Sequence, residues 1–359
     1  MKNKKNIKVV DLFCGIWWLT HWFVNQGFNV VAGIDFDPLC KYAFEKNNNS
    51  KFLDMDIKDV KWSIIKKLYW KDSDIKILVW CAPCQPFSLM NTQKSQYFNN
   101  EDVELKSPIR KFADLIKEVK PDIVSMENVA WLIDEKKYPS FSYFINTLED
   151  NWYKVSYSVV DCTKYGIPQT RRRLVLLASR YWEIKLIPET HKTPVTVRET
   201  IWKLSKIKAW EISKKDNLHR ARDLNDLNKR RLDAIPKNWW SLLDVKDQSL
   251  IPECHKKDSW KTYLPNVYAR MRWDKPAPTM TTWCTWFGNG RFWHPEQNRA
   301  ISLREASLFQ TFPMDYEFFD GNWTMSIQKI SKQIWNAVPV RLWEVIAESI
   351  KKHLTKFSV

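Results

Sequence analysis

Short apolar runs recur through the first half of this chain, each breaking off on a polar or small residue, with helical stretches between them. Ile7 to Phe13, Asn29 to Ile34, Lys76 to Val79, Asp122 to Met126, Val155 to Val160 and Arg173 to Ala178 read as strands. A helix is expected up to about Gln26, closed by Gly27, and another from Pro38 through about Lys46. From Ile109 to Glu118 the residues Ile109, Phe112, Ala113, Ile116 and Val119 fall on one helical face. This alternation predicts an α/β fold with a doubly wound, mostly parallel sheet. Such sheets bind ligands beyond the carboxyl ends of their strands, so the residues that follow each run carry the functional information.

From about Ile187 to Trp293 the alternation fades, and Pro, Lys, Arg and Asn become common. The expected organisation is a ligand-binding domain over 1–186, a smaller irregular domain over 187–300, and a segment over 301–359 that returns to the first. The middle part carries Arg220, Arg222, Lys229, Arg230, Arg231, Lys256 and Lys257, and the whole chain has a net charge of +16. Either a solubilising surface or a polyanionic partner accounts for that charge, and the motifs below favour nucleic acid. No apolar run reaches the ~18 residues of a membrane helix, and Asp11 interrupts the first apolar run. A cytoplasmic protein is expected. The seven cysteines are odd in number and scattered, as reduced thiols would be. Cys81 and Cys84 have CxxC spacing but no second ligand pair, so no metal site is expected.

Glycine is unusually scarce. The chain has 7 Gly and 21 Trp, whereas Gly ordinarily makes up about 7% of residues. Tryptophan stands where turns call for glycine: Trp17 and Trp18 after the first strand, Trp152 before another, Trp239 and Trp240 in a polar turn. Turns often need positive φ, which glycine adopts without steric cost. Many of these tryptophans are expected to stand for glycine, as a UGA codon read differently by two genetic codes would give. Trp273 has the look of a genuine tryptophan.

Chemistry-bearing residues cluster after the strands. The first strand runs into Phe13-Cys14-Gly15-Ile16, a turn where a ligand could approach the backbone. The second closes on Asp35-Phe36-Asp37: Asp35 suits ribose hydroxyls and Phe36 an adenine ring, although a helix cap at Asp37 and core packing of Phe36 fit equally well. Asp56, after the next strand, could accept from an adenine amino group. The sharpest signal is Trp80-Cys81-Ala82-Pro83-Cys84-Gln85-Pro86-Phe87-Ser88. Two prolines stiffen the loop around Cys84, whose thiolate could attack an electron-poor ring carbon. Glu127 and Asn128 follow an apolar strand, where a carboxyl of raised pKa could hydrogen-bond a ring nitrogen. Gln169-Thr170-Arg171-Arg172-Arg173 sets Arg171 and Arg173 on one face of a strand, suited to a base carbonyl or a phosphate.

In this order, PCQPFS, ENV and QTRRR resemble the DNA cytosine-5 methyltransferases of bacterial restriction–modification systems. The tail also fits, with Arg304-Glu305-Ala306, then Phe309-Gln310-Thr311-Phe312-Pro313, then Gln333-Ile334-Trp335-Asn336-Ala337-Val338-Pro339. The resemblance implies a Rossmann-like fold that uses S-adenosyl-L-methionine and acts on a cytosine flipped out of double-stranded DNA. It implies catalytic roles for Cys84, Glu127, Arg171 and Arg173. Phe13, Gly15, Asp35, Phe36, Asp56, Asn336 and Val338 would line the cofactor site. Gln85, Pro86, Ser88, Asn128 and Gln169 would face the substrate, and 187–300 would be a target-recognition domain. A monomer with a separate cognate restriction endonuclease is the usual arrangement. Trp17, Trp18, Trp80, Trp131, Trp335 and Trp343 depart from the family pattern, which has glycine there. An RNA cytosine methyltransferase of the same superfamily and an inactive DNA-binding relative are the competing readings.

Overall fold

In the computed structural model, residues 5–16, 19–70, 73–81, 107–238, 242, 245–256, 267–281, 283–288, 290–320 and 326–356 are described. A seven-stranded sheet carries the first half. Its strands are β1 (Ile7–Leu12), β2 (Asn29–Asp35), β3 (Lys51–Asp54), β4 (Ile75–Trp80), β5 (Ile123–Val129), β6 (Lys154–Asp161) and β8 (Arg172–Ser179), with the short β7 (Gln169–Thr170) outside the sheet. The spatial order is β3-β2-β1-β4-β5-β8-β6. The first five pair in parallel, and β8 runs antiparallel to both β5 and β6. Chain direction reverses its progress across the sheet between β1 and β4, which is where a crevice opens at the strands' carboxyl edge.

Helices α1 (Leu19–Asn25), α2 (Lys41–Asn48), α3 (Trp62–Tyr69), α4 (Pro108–Val119) and α5 (Pro139–Asp150) cover the sheet. In α4 the expected stripe is buried, with Ile109, Phe112, Ala113, Ile116 and Val119 all under the surface. Pro38 opens only a single 3-10 turn, Pro38–Cys40, before α2 begins, because Asp37 caps Leu39 rather than starting a longer helix. The strand expected to stop at Met126 continues to Val129. Antiparallel pairing with β8 extends it, since Glu127, Asn128 and Val129 face Val175, Leu174 and Arg173.

The second half contains α6 (Val197–Ile201), β9 (Ile212–Ser213), β10 (Asp216–Arg220), α7 (Asp226–Ala234), β11 (Ala277–Pro278), α8 (Leu303–Phe309), α9 (Ile327–Asn336) and α10 (Val340–Thr355). Leu224, Leu232, Ile235, Leu242, Val245, Leu250, Phe287 and Trp293 form a small core of their own. β11 pairs with β7, tying the middle segment to the sheet domain. α10 packs back on α1, Ser349 Oγ accepts from the Ile187 amide at 2.9 Å, and His353 meets Ser179 at 2.9 Å. Among the described residues no helix is long and apolar enough to cross a membrane.

The ends of two helices bear on the tryptophans. α1 closes with Gly27 at φ 87°, its amide bonded to Val24 O and the next amide, Phe28, to Phe23 O. α5 closes the same way: Trp152 N reaches Glu149 O at 3.0 Å and Tyr153 N reaches Leu148 O at 3.0 Å, with Trp152 at φ 66°. Both are Schellman caps, whose left-handed position favours glycine.

Candidate active site

The β1–β2 and β4–β5–β8 edges frame a cleft of about 280 Å³. Phe13, Gly15 and Ile16 enter it from the turn after β1, and Asp35, Phe36, Asp37, Leu39 and Cys40 from the end of β2. Cys81 follows β4, and Glu127, Asn128 and Val129 end β5. Arg171 and Arg173 reach the same edge because β8 runs antiparallel, so its start lies beside the ends of its neighbours. The far wall comes from the other end of the sequence: Lys329, Lys332, Gln333, Trp335 and Asn336 of α9, then Val338.

One half of the cleft is built around Asp35. Its carboxylate accepts from Gly15 N and Asp37 N, both at 2.9 Å. Burial pushes its pKa up, and those amide bonds pull it back. Phe13 sits at φ 62° and Gly15 at φ 48°, the sharp turn that brings the backbone to the carboxylate. Phe36 leaves 59% of its surface exposed at the mouth. Beneath them, Asp11 is fully buried, with neither carboxyl oxygen hydrogen-bonded among the described residues, and burial, reinforced by Asp35, holds its pKa well above the carboxylate range.

Glu127 organises the other half. The residue is 2% exposed, and its carboxyl lies 3.0 Å from Arg173 Nε, close but not aligned as a hydrogen bond. Register explains the pair: Val129 opposes Arg173, so Glu127 is its diagonal neighbour on the same face. Cys81 Sγ donates to Glu127 Oε2 at 2.9 Å. Burial raises the Glu127 pKa, and Arg173, Cys81 and Arg171 lower it in part. Asn128 is buried beside it, with its side-chain oxygen accepting from Val129 N and its Nδ2 lacking a partner among the described residues. A carboxyl inclined to hold a proton, flanked by guanidinium groups at the floor of a cleft, suits a polarisable ring that gains charge during reaction.

The cleft thus gathers Phe13, Gly15, Asp35, Phe36, Glu127, Asn128, Arg171, Arg173, Asn336 and Val338 from distant parts of the sequence. Two expected members sit elsewhere. Asp56 is absent from the lining, and its Oδ1 closes a local turn by accepting from Lys58 N at 2.9 Å. Gln169, expected to face the substrate, is fully buried and clamps separate segments together. Its Nε2 donates to Phe309 O and Gln310 Oε1, both at 2.7 Å, and its Oε1 accepts from Met280 N at 3.2 Å. Cys84, Gln85, Pro86 and Ser88 lie outside the described residues, as do Trp17 and Trp18. Sequence reading passed over Cys81, Lys329 and Lys332. The helical spacing of Lys329, Lys332, Gln333 and Asn336 was a usable signal, since positions i, i+3, i+4 and i+7 share a face. Gln310 holds that helix end in place through Ala337 O at 2.8 Å and Ile334 O at 3.0 Å.

Residues 7–352 match the family model described as C-5 cytosine-specific DNA methylase. The chain is 47% identical over 350 residues to the Type II methylase M.HgiDII of Herpetosiphon aurantiacus, covering 96% of this chain and 95% of that one. It is 26% identical over 356 residues to the Type II methyltransferase M.MthTI of Methanothermobacter thermautotrophicus, covering 97% and 98%. Among solved structures, Spodoptera frugiperda DNMT2 superposes with a TM-score of 0.63 at 15% identity, covering 96% and 99%. The methyltransferase EhMeth of Entamoeba histolytica gives 0.62 at 14% identity, covering 98% and 99%. At these identities the structural likeness speaks for the fold.

Proposed function

Because the chain belongs to the C-5 cytosine-specific DNA methylase family, we propose that it methylates C5 of a cytosine in a specific double-stranded DNA sequence, with Cys84 as nucleophile and S-adenosyl-L-methionine as methyl donor. The observation that carries the reading is the buried Glu127, paired with Arg173 at 3.0 Å on the cleft floor. Cys84 follows Cys81 by three residues, a length of chain that spans at most about 11 Å, and Cys81 itself touches Glu127.

In this reading the Cys84 thiolate adds to C6 of the flipped base, forming an S–C6 bond. Glu127, inclined by burial to keep its proton, donates it at N3, so electron density collects at C5. Arg173, with Arg171, holds the base and the carboxyl in register. Once C5 has taken up a methyl group, loss of its proton to a base lets the S–C6 bond break and returns the thiolate, while the N3 proton goes back to Glu127. Extruding the base costs a few kcal/mol of stacking, which the basic middle segment would offset through phosphate contacts.

The residues of the first half-cleft fit an adenosyl group. Asp35 has lone pairs left for ribose hydroxyls, and the exposed face of Phe36 can stack on a purine. Asn336 and Val338 would close over it from the far wall. When bound, S-adenosyl-L-methionine supplies an electrophilic methyl group. The residues of 187–300, with their own small core, are assigned to target recognition. A duplex carrying 5-fluorocytosine at the target position tests the mechanism, because fluorine blocks release. The expected result is a cofactor-dependent covalent complex that disappears in Cys84→Ser. A complex that persists in Cys84→Ser would overturn the assignment.

A further inference from the structure

Two pairs of tryptophans contrast in burial and backbone geometry. Trp273 and Trp293 are 4% and 0% exposed. Their indole N–H groups donate to Glu296 Oε1 and Phe287 O, both at 2.8 Å, and Trp293 stacks on Phe287 with centroids 4.1 Å apart. Trp152 and Trp210 are the opposite. Each has φ 66°, and they are 83% and 66% exposed. Trp152 occupies the left-handed position of a Schellman cap, the position that glycine fills at Gly27 and again at Gly166, where φ is 81°. Trp210 is the third residue of the turn Lys208–Glu211, closed by Glu211 N on Lys208 O at 3.2 Å. Positive φ there is the requirement that glycine meets in type II turns. A bulky aromatic gains nothing from such exposure and is strained by such a backbone.

We propose that positions 152 and 210 are glycine in the enzyme made by its own cell, which would read UGA as glycine. One code serves a whole gene, so UGA at position 335 would likewise replace the indole of Trp335 in the cleft wall by glycine. Codon identity and protein mass test this directly. UGA at 152 and 210, UGG at 273 and 293, and glycine-containing peptides by mass spectrometry of the native enzyme are expected. UGG at 152 and 210 overturns the proposal. An independent arm compares unfolding midpoints of full-length variants. Trp152→Gly and Trp210→Gly should raise the midpoint, while Trp293→Gly should lower it sharply. A midpoint that falls in all three would count against the geometric division.

A second observation is independent of the first. Glu127 is held at Oε2 by Cys81 Sγ and approached at Oε1 by Arg173, so its carboxyl plane is fixed from both sides. We infer that Cys81 is a positioning residue for Glu127, which rests on the role given to Glu127 above. Cys81→Ala should lower kcat on the order of tenfold, the scale of one hydrogen bond to a charged group, with KM for DNA unchanged. It should also move the alkaline limb of the kcat profile to higher pH, because a donor that favours the ionised carboxylate is lost. Cys81→Ser keeps a donor and should restore most of the rate. Unchanged kcat and an unchanged pH profile in Cys81→Ala, at an unchanged unfolding midpoint, would dismiss Cys81. Activity surviving in Glu127→Gln would instead dismiss the role of Glu127 itself.

Discussion

Two buried glutamates, each beside an arginine, meet opposite electrostatic fates. At the cleft floor, Glu127 has one close but unaligned arginine and one thiol donor, and burial wins: its pKa rises. At the junction of the middle segment with α8, Glu305 receives Arg299 at both oxygens, 2.7 Å each, and the Ser302 amide at 2.7 Å. There burial alone would raise the pKa, yet Arg299 and its hydrogen bonds drive it well below the usual carboxylate range. His294 joins this second cluster as a neutral ring, since its Nδ1 accepts from the Gln297 and Glu296 amides and burial pushes its pKa down to about 3. A fully paired carboxylate is a structural joint, whereas an incompletely paired one keeps capacity for a ligand.

The contrast breaks most sharply at Glu127. Glu127→Gln should reduce kcat by ~10²–10⁴ while leaving the urea midpoint near its original value. Near-normal turnover would make Glu127 a second structural joint. Arg299→Ala should do the reverse, costing about 3–5 kcal/mol of stability because Glu305 stays buried without its partner. Urea unfolding measures this, and a cost below about 1 kcal/mol would dissolve the distinction. Gln169→Ala, which orphans Gln310 Oε1 and the Met280 amide, should cost about 1–3 kcal/mol with little change in KM for cofactor. A large KM effect would return Gln169 to the substrate side.

Acid titration sharpens the comparison further. The folded pKa of His294 lies below its unfolded value of 6.5, so its contribution is present above that value and fades as pH falls toward about 3. Glu305 acts in the same direction, its contribution lost as pH falls through its depressed folded value. Glu127 has the opposite sign. Its folded pKa is raised, so its contribution is full below the ordinary carboxylate value and declines as pH rises through the folded one. Stability curves measured against pH should therefore lose the part of their acid-side slope that lies between about pH 6.5 and 3 and comes from His294 when it is replaced by Asn, keep the part from Glu305, and keep both in Glu127→Gln.

Much of the cleft was legible because the fold places ligands at strand ends, and strand ends are visible as the places where apolar runs stop. Phe13, Asp35 and Glu127 follow that rule, whereas Arg173 opens its strand and reaches the same edge because β8 runs antiparallel to β5. Asp56 follows it too, yet its side chain turns to Lys58 N, and nothing in the local sequence distinguishes a carboxylate that caps its own turn from one that faces a ligand. Gln169 misled for a different reason. Its partners Met280, Phe309 and Gln310 lie more than a hundred residues away, so only the folded chain reveals that its amide is fully used.

Periodicity and composition by themselves determined the parallel sheet, the helical stripe of α4, the basic middle segment and the excess of tryptophan over glycine, since none of these depends on which distant segments meet. Tertiary structure alone decided which of two buried glutamates is held charged, that Cys81 reaches Glu127, and that α9 supplies the far wall of the cleft. Burial and long-range pairing set those outcomes, and both depend on which distant segments meet, which is a property of the packed chain and not of any stretch within it.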